Sequence, residues 1–389
     1  MKVLFTTTPG RGHMHPMVPL AKAFAERGDQ VMWAASSELV ADLRQAGFEA
    51  TSCGLAKAAP PVGALPFGGM PNPAQFQGGS AQLFMRTFGD ILIGPMLDDL
   101  VPIVESFRPD LIVHETAEFA APIAAAIAGI PCITHAVGRA MPLGRISQDE
   151  QYQSKIAGHW QEYGLEPRQL DNIYEDVYLD IYPSSLQSED TGHMKLRQPL
   201  RPVPYASGDA TMPEWDQRHA ELPLVFLTFG TAVPLQMTPI ETALKGLAEL
   251  PIRLLASVPT GDPDQFGSQP ENVRLAKYIP TTKVIEECSL VVSHGGAGIM
   301  LSSLAYGIPQ LLIPQMADQF KNAADCERTG AALVLDRSAV TVESVQDCAT
   351  QLLDSVALRS AAQRIQSEIS EMPSPSEVVD TLSREAVAG

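Results

Sequence analysis

Cysteine is scarce in this chain, and its five residues, Cys53, Cys132, Cys288, Cys326 and Cys348, are odd in number, scattered and never paired as C-x-x-C. That pattern argues against a disulfide framework and reads as buried thiols in a reducing cytoplasm. Positive charge is short too: 27 Lys and Arg face 45 Asp and Glu, a formal net charge of -18. Nucleic acid and anionic membrane both demand a basic face, so neither is an expected partner. A phosphate ligand stays open, because helix N-termini bind phosphate through backbone amides and the helix dipole. Long apolar runs are missing. The longest, Ala120 to Ile133, is broken by Pro122, Gly129 and Pro131 and falls short of the roughly 20 residues of a membrane span. Met1 to Thr8 runs straight into Arg11 and His13, unlike a secretory signal. A soluble cytoplasmic protein is expected. Aromatics make up only 6% of the chain, as befits parallel sheets covered by helices.

What is present is βαβ grammar. A length of 389 residues exceeds what one core usually serves, so two domains are expected. Strand patterns near 2–8, 30–35, 48–52, 110–114 and 131–135 alternate with helical ones, which implies an α/β fold with a parallel sheet. The stretch Cys53 to Gly79 is rich in Gly, Pro and Ala and carries Phe67, Met70 and Phe76. It reads either as an apolar binding loop or as disorder. Gly94-Pro95 and Pro102 predict a kinked or divided helix between Ser80 and Phe107. Six aromatics from Tyr152 to Tyr182 either line a pocket or seal the domain. The proline-rich run Arg197 to Asp216 is the linker candidate. A second doubly wound unit follows from near Pro223, with strands at Leu224–Thr231, 252–258, 273–276, 290–293 and 310–313. Thr238-Pro239-Ile240-Glu241 reads as a helix-capping box, and further helices fit at 281–287, 297–306 and 318–329.

The chemistry-bearing residues fall on strand ends. His13, in Thr8-Pro9-Gly10-Arg11-Gly12-His13-Met14-His15-Pro16, is expected on a glycine-rich turn between the first strand and helix, facing the crevice at a strand's carboxyl end; a capping or packing histidine is the alternative. Glu115 closes the strand that follows Pro109 and reaches the same edge. A carboxylate there can engage the second ring nitrogen of His13 and hold one tautomer, unless it is simply solvated. Ser289 to Gly298 repeats the plan, and its His294-Gly295-Gly296 turn suits a diphosphate, with Gly230 and Thr231 adding an amide and a hydroxyl. The alternative is a sharp turn and nothing more. Gly10-Arg11-Gly12 opens like a dinucleotide fingerprint, yet His15 stands where the third glycine belongs and Val31 to Ser36 ends without an acid, which disfavours an NAD oxidoreductase. Asp262-Pro263-Asp264 is turn chemistry, and His13-x-His15 lacks further zinc ligands nearby.

Gly12-His13-Met-His-Pro16, Pro109-Asp110-Leu-Ile-Val-His-Glu115, His294-Gly-Gly-Ala-Gly298, Pro309 to Asn322 with its Asp318-Gln319-Phe run, and the ending Glu371 to Glu377 together resemble bacterial natural-product glycosyltransferases of family 1, with the GT-B fold. That resemblance implies two Rossmann-like domains facing each other across a cleft: acceptor-binding 1–205, a linker 206–222, nucleotide-sugar-binding 223–370, and a C-terminal helix 371–389 packing back toward the first domain. It implies inverting transfer of a sugar from a nucleotide diphosphate to an acceptor hydroxyl. His13, not His15, would be the general base, and Glu115, where many relatives carry Asp, would orient it. Gly230, Thr231, His294, Gly295, Gly296, Ala297 and Gly298 would hold the diphosphate, Asp318 and Gln319 the sugar hydroxyls, and Tyr278 and Ile279 the nucleobase; Asp318 could also act as an N-cap. Ser302 stands where many UDP-sugar users carry a glutamate for the ribose, which favours a dTDP-sugar. Ile299-Met300 replaces two threonines common at the phosphate turn. Phe67, Met70, Phe76, Phe84 and Met141 are the candidate contacts for a hydrophobic, polyketide-like aglycone. No metal and no cofactor beyond the nucleotide-sugar are implied, and the expected assembly is a homodimer. The rival from another class is a non-catalytic nucleotide-binding or auxiliary protein.

Overall fold

A computed structural model describes residues 1–55, 84–140, 150–168, 176–187, 191–208, 213–230, 237–258 and 263–388. The expected Phe67, Met70, Phe76, Met141 and Thr231 lie outside the described residues. The chain divides into two compact units, Met1–Tyr182 with Glu189–Arg201 and Met372–Gly389, and Pro183–Ser188 with Pro202–Glu371. Among the described residues no helix is long and apolar enough to cross a membrane.

The first unit is built on a seven-stranded parallel sheet: β1 (Lys2–Thr7), β2 (Gln30–Ala35), β3 (Glu49–Ser52), β4 (Leu111–Glu115), β5 (Cys132–His135), β6 (Val177–Asp180) and β7 (Leu196–Pro199), in the order β3-β2-β1-β4-β5-β6-β7. Both faces are covered, so β1 and β4 are buried almost throughout rather than alternating. Phe5 on β1 stacks on Trp33 of β2 with centroids 4.9 Å apart and meets Phe24 edge-on at 6.0 Å. Each such fully buried ring contributes about 1.5–3 kcal/mol.

The second unit repeats the scheme with β8 (Leu224–Thr228), β9 (Arg253–Ser257), β10 (Val273–Ala276), β11 (Cys288–Ser293), β12 (Gln310–Leu312) and β13 (Ala332–Val334), ordered β10-β9-β8-β11-β12-β13. In each sheet the winding reverses beside the first strand, between β1 and β4 and between β8 and β11. Ligands of doubly wound sheets bind outside the strand ends at such a reversal. The two chemistry-bearing turns of the sequence both land there.

Several expectations need correction. His13 is not on an open turn: Gly10, at φ 124°, leads into a one-turn helix Arg11–Met14, followed by a tight turn His15–Met17 and a helix Val18–Glu26. The helix break expected at Gly94-Pro95 lies earlier, in a wide π-type turn Thr87–Ile91, and the helix Ile93–Phe107 runs on through Pro102. Arg197 does not start a linker, because Leu196–Pro199 pairs with β6 as an edge strand, where a terminal proline is tolerated. Thr238 lies inside the helix Met237–Ala248 rather than capping it. Trp160, Tyr178 and Tyr182 are buried, so these members of the aromatic segment seal the domain.

The C-terminal helix Pro375–Ala388 belongs to the first unit and packs on Val18–Glu26. A capping box starts it: Ser374 Oγ accepts from Glu377 N at 3.3 Å, while Glu377 Oε2 accepts from Ser374 N at 2.8 Å.

Gly10 occupies a backbone region that only glycine adopts without strain, so Gly10→Ala is expected to cost about 1–3 kcal/mol. Thermal melts should show a drop of several degrees, with Gly12→Ala, whose added Cβ meets nothing within 4 Å, close to the parent.

Candidate active site

The end of β1 and the end of β4 bring His13 and Glu115 together. His13 Nδ1 and Glu115 Oε1 are 3.0 Å apart; the imidazole is 27% exposed and the carboxylate 0%. Thr8 Oγ1 donates to the same Oε1, and Ala117 N donates to Oε2 at 2.6 Å. Burial by itself would raise the Glu115 pKa. The His13 charge and hydrogen bond, with those from Thr8 and Ala117, outweigh it and bring the carboxyl down to about 2. An ionised Glu115 makes Nδ1 the protonated ring atom and places the imidazole lone pair at Nε2.

The neighbouring histidines are different. His15 is driven down to about 4 by burial and then by the Arg11 charge. His114 is also held near 4 by burial, with Nδ1 on the Glu118 carbonyl at 2.8 Å and Nε2 on Thr134 Oγ1 at 2.8 Å. Both are neutral packing groups. Glu118, three residues past Glu115, was not foreseen. Its Oε2 accepts from Thr6 Oγ1 at 2.6 Å and its Oε1 from Ala120 N at 2.7 Å, yet burial lifts its pKa to about 7.

Apolar surface adjoins His13. Phe88, on the π-type turn, has its ring centroid 5.5 Å from the imidazole, and Phe84 stands 4.8 Å from Phe88 and 6.3 Å from Phe119. Phe84 was anticipated and Phe88 was not, although their i,i+4 spacing is a helical-face signal.

In the second unit, β8 and β11 lead into Gly230 and His294. The His294 ring lies between two glycines: a Cβ added at Gly230 would stand 2.8 Å from Cε1, and one at Gly296 2.6 Å from Nε2. Burial, opposed by the Thr228 carbonyl, holds the ring near pKa 4 and therefore neutral. Gly296 is the N-cap of the helix Ala297–Ala305, whose first N–H groups, including those of Ala297 and Gly298, have no intrahelical acceptor. A neutral imidazole N–H beside a bare helix N-terminus suits an anion.

Asp318 precedes the helix Gln319–Arg328, but its side chain makes no capping bond. Asp318 Oδ2 instead accepts from Asn322 Nδ2 at 2.9 Å, which corrects the capping alternative. Gln319 Oε1 accepts from Gln315 N at 2.9 Å and Met316 N at 3.1 Å, so its amide nitrogen is the end that faces other work. Tyr278 OH donates to the Ser207 carbonyl at 2.8 Å, and Ile279 is buried against Leu224 and Phe226. Met300 is buried in the helix Ala297–Ala305, as is Ser302.

Each of the two Rossmann-like units thus carries a histidine just past the strand ends at its sheet's reversal. Residues 76–230 match the N-terminal and 241–384 the C-terminal domain model of erythromycin biosynthesis protein CIII-like proteins. Elloramycin glycosyltransferase ElmGT of Streptomyces olivaceus is 30% identical, covering 98% of this chain and 97% of its own. Among solved structures, SsfS6 of Streptomyces sp. SF2575, complexed with thymidine diphosphate, has a TM-score of 0.77 at 25% identity, over 99% of each chain. Spinosyn rhamnosyltransferase SpnG, complexed with spinosyn aglycone, has a TM-score of 0.81 at 26% identity, over 98% of this chain and 100% of its own. The chain belongs to the erythromycin biosynthesis protein CIII-like family of bacterial natural-product glycosyltransferases and is a transferase.

Glu118 has a folded pKa raised from 4.5 to about 7. Its contribution to stability is therefore fully present below pH 4.5 and is lost as pH rises through about 7. Glu118→Gln, which stays neutral, should gain on the parent in Tm between pH 5 and pH 8; an unchanged difference across that range would contradict a buried, titrating Glu118.

Proposed function

We propose that this glycosyltransferase moves a deoxysugar from a dTDP-sugar to a hydroxyl of a hydrophobic aglycone with inversion, His13 acting as general base. The observation that carries this reading is the 3.0 Å pairing of His13 Nδ1 with the buried Glu115 carboxylate. The pair holds the imidazole with its lone pair at Nε2. An acceptor hydroxyl there gives its proton to Nε2 while its oxygen attacks the anomeric carbon, and the bond from that carbon to the diphosphate breaks. Glu115 then stabilises the imidazolium without taking the proton. The departing charge meets the neutral His294 imidazole and the amides of Gly296, Ala297 and Gly298 in the donor half-site. Gly230 leaves room for that imidazole, and Asp318 and Gln319 take the sugar hydroxyls. Phe84 and Phe88 supply the apolar contact for the aglycone, in keeping with the spinosyn aglycone that SpnG binds.

Thymidine diphosphate is favoured over uridine diphosphate on two grounds. SsfS6 is complexed with it, and Ser302 offers no carboxylate for a ribose 2′-hydroxyl at the place where many UDP-sugar users carry a glutamate. Calorimetry should give dTDP a several-fold lower Kd than UDP, with Ser302→Glu narrowing the gap. Equal affinities in the parent would remove the donor assignment.

A helper protein that only binds nucleotide has no use for a base. His13→Ala should lower turnover by about 100-fold or more while dTDP affinity, measured on the same preparation, stays within about twofold of the parent. Full turnover in that variant would sink the general-base reading and favour the non-catalytic one.

A further inference from the structure

Asn322 is wholly buried on the helix Gln319–Arg328, one turn after Asp318. Its Nδ2 donates twice, to the Gly295 carbonyl at 3.0 Å and to Asp318 Oδ2 at 2.9 Å. Both amide hydrogens are thereby committed. The first partner belongs to the glycine turn after β11, the second to the junction after β12. One side chain thus ties the two loops of the second unit to which the diphosphate and the sugar are assigned.

Each bond fixes a direction. Gly295 has φ 79°, and the peptide joining it to Gly296 is planar and trans, so its C=O and N–H point opposite ways. Holding the Gly295 carbonyl toward Asn322 turns the Gly296 N–H away from that helix, at the N-terminal end of Ala297–Ala305. Gly295 N donates to Ser293 Oγ at 3.2 Å, which pins the other side of the residue. The second bond sets the plane of the Asp318 carboxylate, which follows Ala317 at φ 53°. The Gln319 side chain, by contrast, is set by the amides of its own loop, Gln315 and Met316.

We infer that Asn322 is a positioning residue that couples the diphosphate turn at Gly295-Gly296 to the sugar-binding carboxylate of Asp318, so that the two halves of the donor are gripped as one unit. The coupling rests on the donor reading of the second unit proposed above. It predicts that a change at Asn322 alters how much Asp318 matters, which an amide that merely stabilises the fold would not do.

The test is a double-mutant cycle of Asn322→Ala and Asp318→Ala, read by calorimetric Kd for dTDP and for dTDP-glucose, with Tm recorded for every variant. Asp318→Ala should weaken dTDP-glucose about tenfold in the parent but less than about twofold once Asn322 is alanine. Effects that multiply, or an Asp318→Ala with no effect in the parent, overturn the coupling. A parent that binds neither nucleotide overturns the donor reading itself and the coupling with it.

Asn322→Asp is the second variant and keeps the volume. It sets a carboxyl beside Asp318, and two carboxyls at that distance share one proton. The other ionisable groups on the same helix are Lys321, Asp325, Cys326, Glu327 and Arg328, and the neutral His294 stands on the glycine turn. As pH falls from 8 to 6 the shared proton restores the bridge to Asp318, so dTDP-glucose affinity should rise at least about threefold more than in the parent. A pH response equal to the parent's overturns the coupling even if Asn322→Ala fails to fold.

Discussion

A carboxylate with no access to water governs the first unit's site. Burial pushes the Glu115 pKa upward, and an unpaired buried charge would neutralise itself or destabilise the fold. The chain answers with donors from two directions: the Thr8 hydroxyl at the end of β1 and the Ala117 amide just past β4, with the His13 imidazole completing the set. The same bonds that keep Glu115 ionised orient the ring. Glycine at Gly10 lets the chain turn tightly enough for His13 to arrive there. Glu118, equally buried but offered no cation, ends near neutrality instead. Two glutamates three residues apart are thus driven in opposite directions by what surrounds them.

The second unit solves the opposite problem with the same topology. Its histidine is meant to stay neutral, and burial between Gly230 and Gly296 achieves that. A side chain at either glycine would stand where the imidazole is. The glycines therefore serve packing as much as backbone freedom, and the bare helix N-terminus beyond them supplies the positive end of a dipole without a lysine or arginine. Such a design is compatible with an acidic chain.

Much of this was legible in advance. The first five strands and the glycine turns follow from local apolar runs and from turn residues with few alternatives, so β1 to β5 and β8 to β12 fall close to where periodicity places them. The short strands at or next to a sheet edge did not: Val177–Asp180, Leu196–Pro199 and Ala332–Val334 are three or four residues long and, in the case of β7, contain a proline. Their local signal is weaker than the sheet that recruits them. The π-type turn at Thr87–Ile91 escaped for a related reason, since prolines at 95 and 102 looked like breakers, yet Pro95 sits in the first turn of the helix Ile93–Phe107, where its missing N–H costs no bond, and the helix continues through Pro102. Phe88 beside His13 is a consequence of that turn.

By itself the sequence determined the two α/β units, the residues available at their strand ends and the net negative charge, because these depend on composition and on periods of a few residues. Tertiary structure decided which histidine meets a carboxylate, that Glu118 is buried beside it, and that Asn322 bridges Gly295 and Asp318. Those outcomes depend on pairs up to 112 residues apart. Only the parallel register of β1 on β4 and the packing of one helix against one turn bring such pairs within hydrogen-bond reach, and no local propensity encodes that distance.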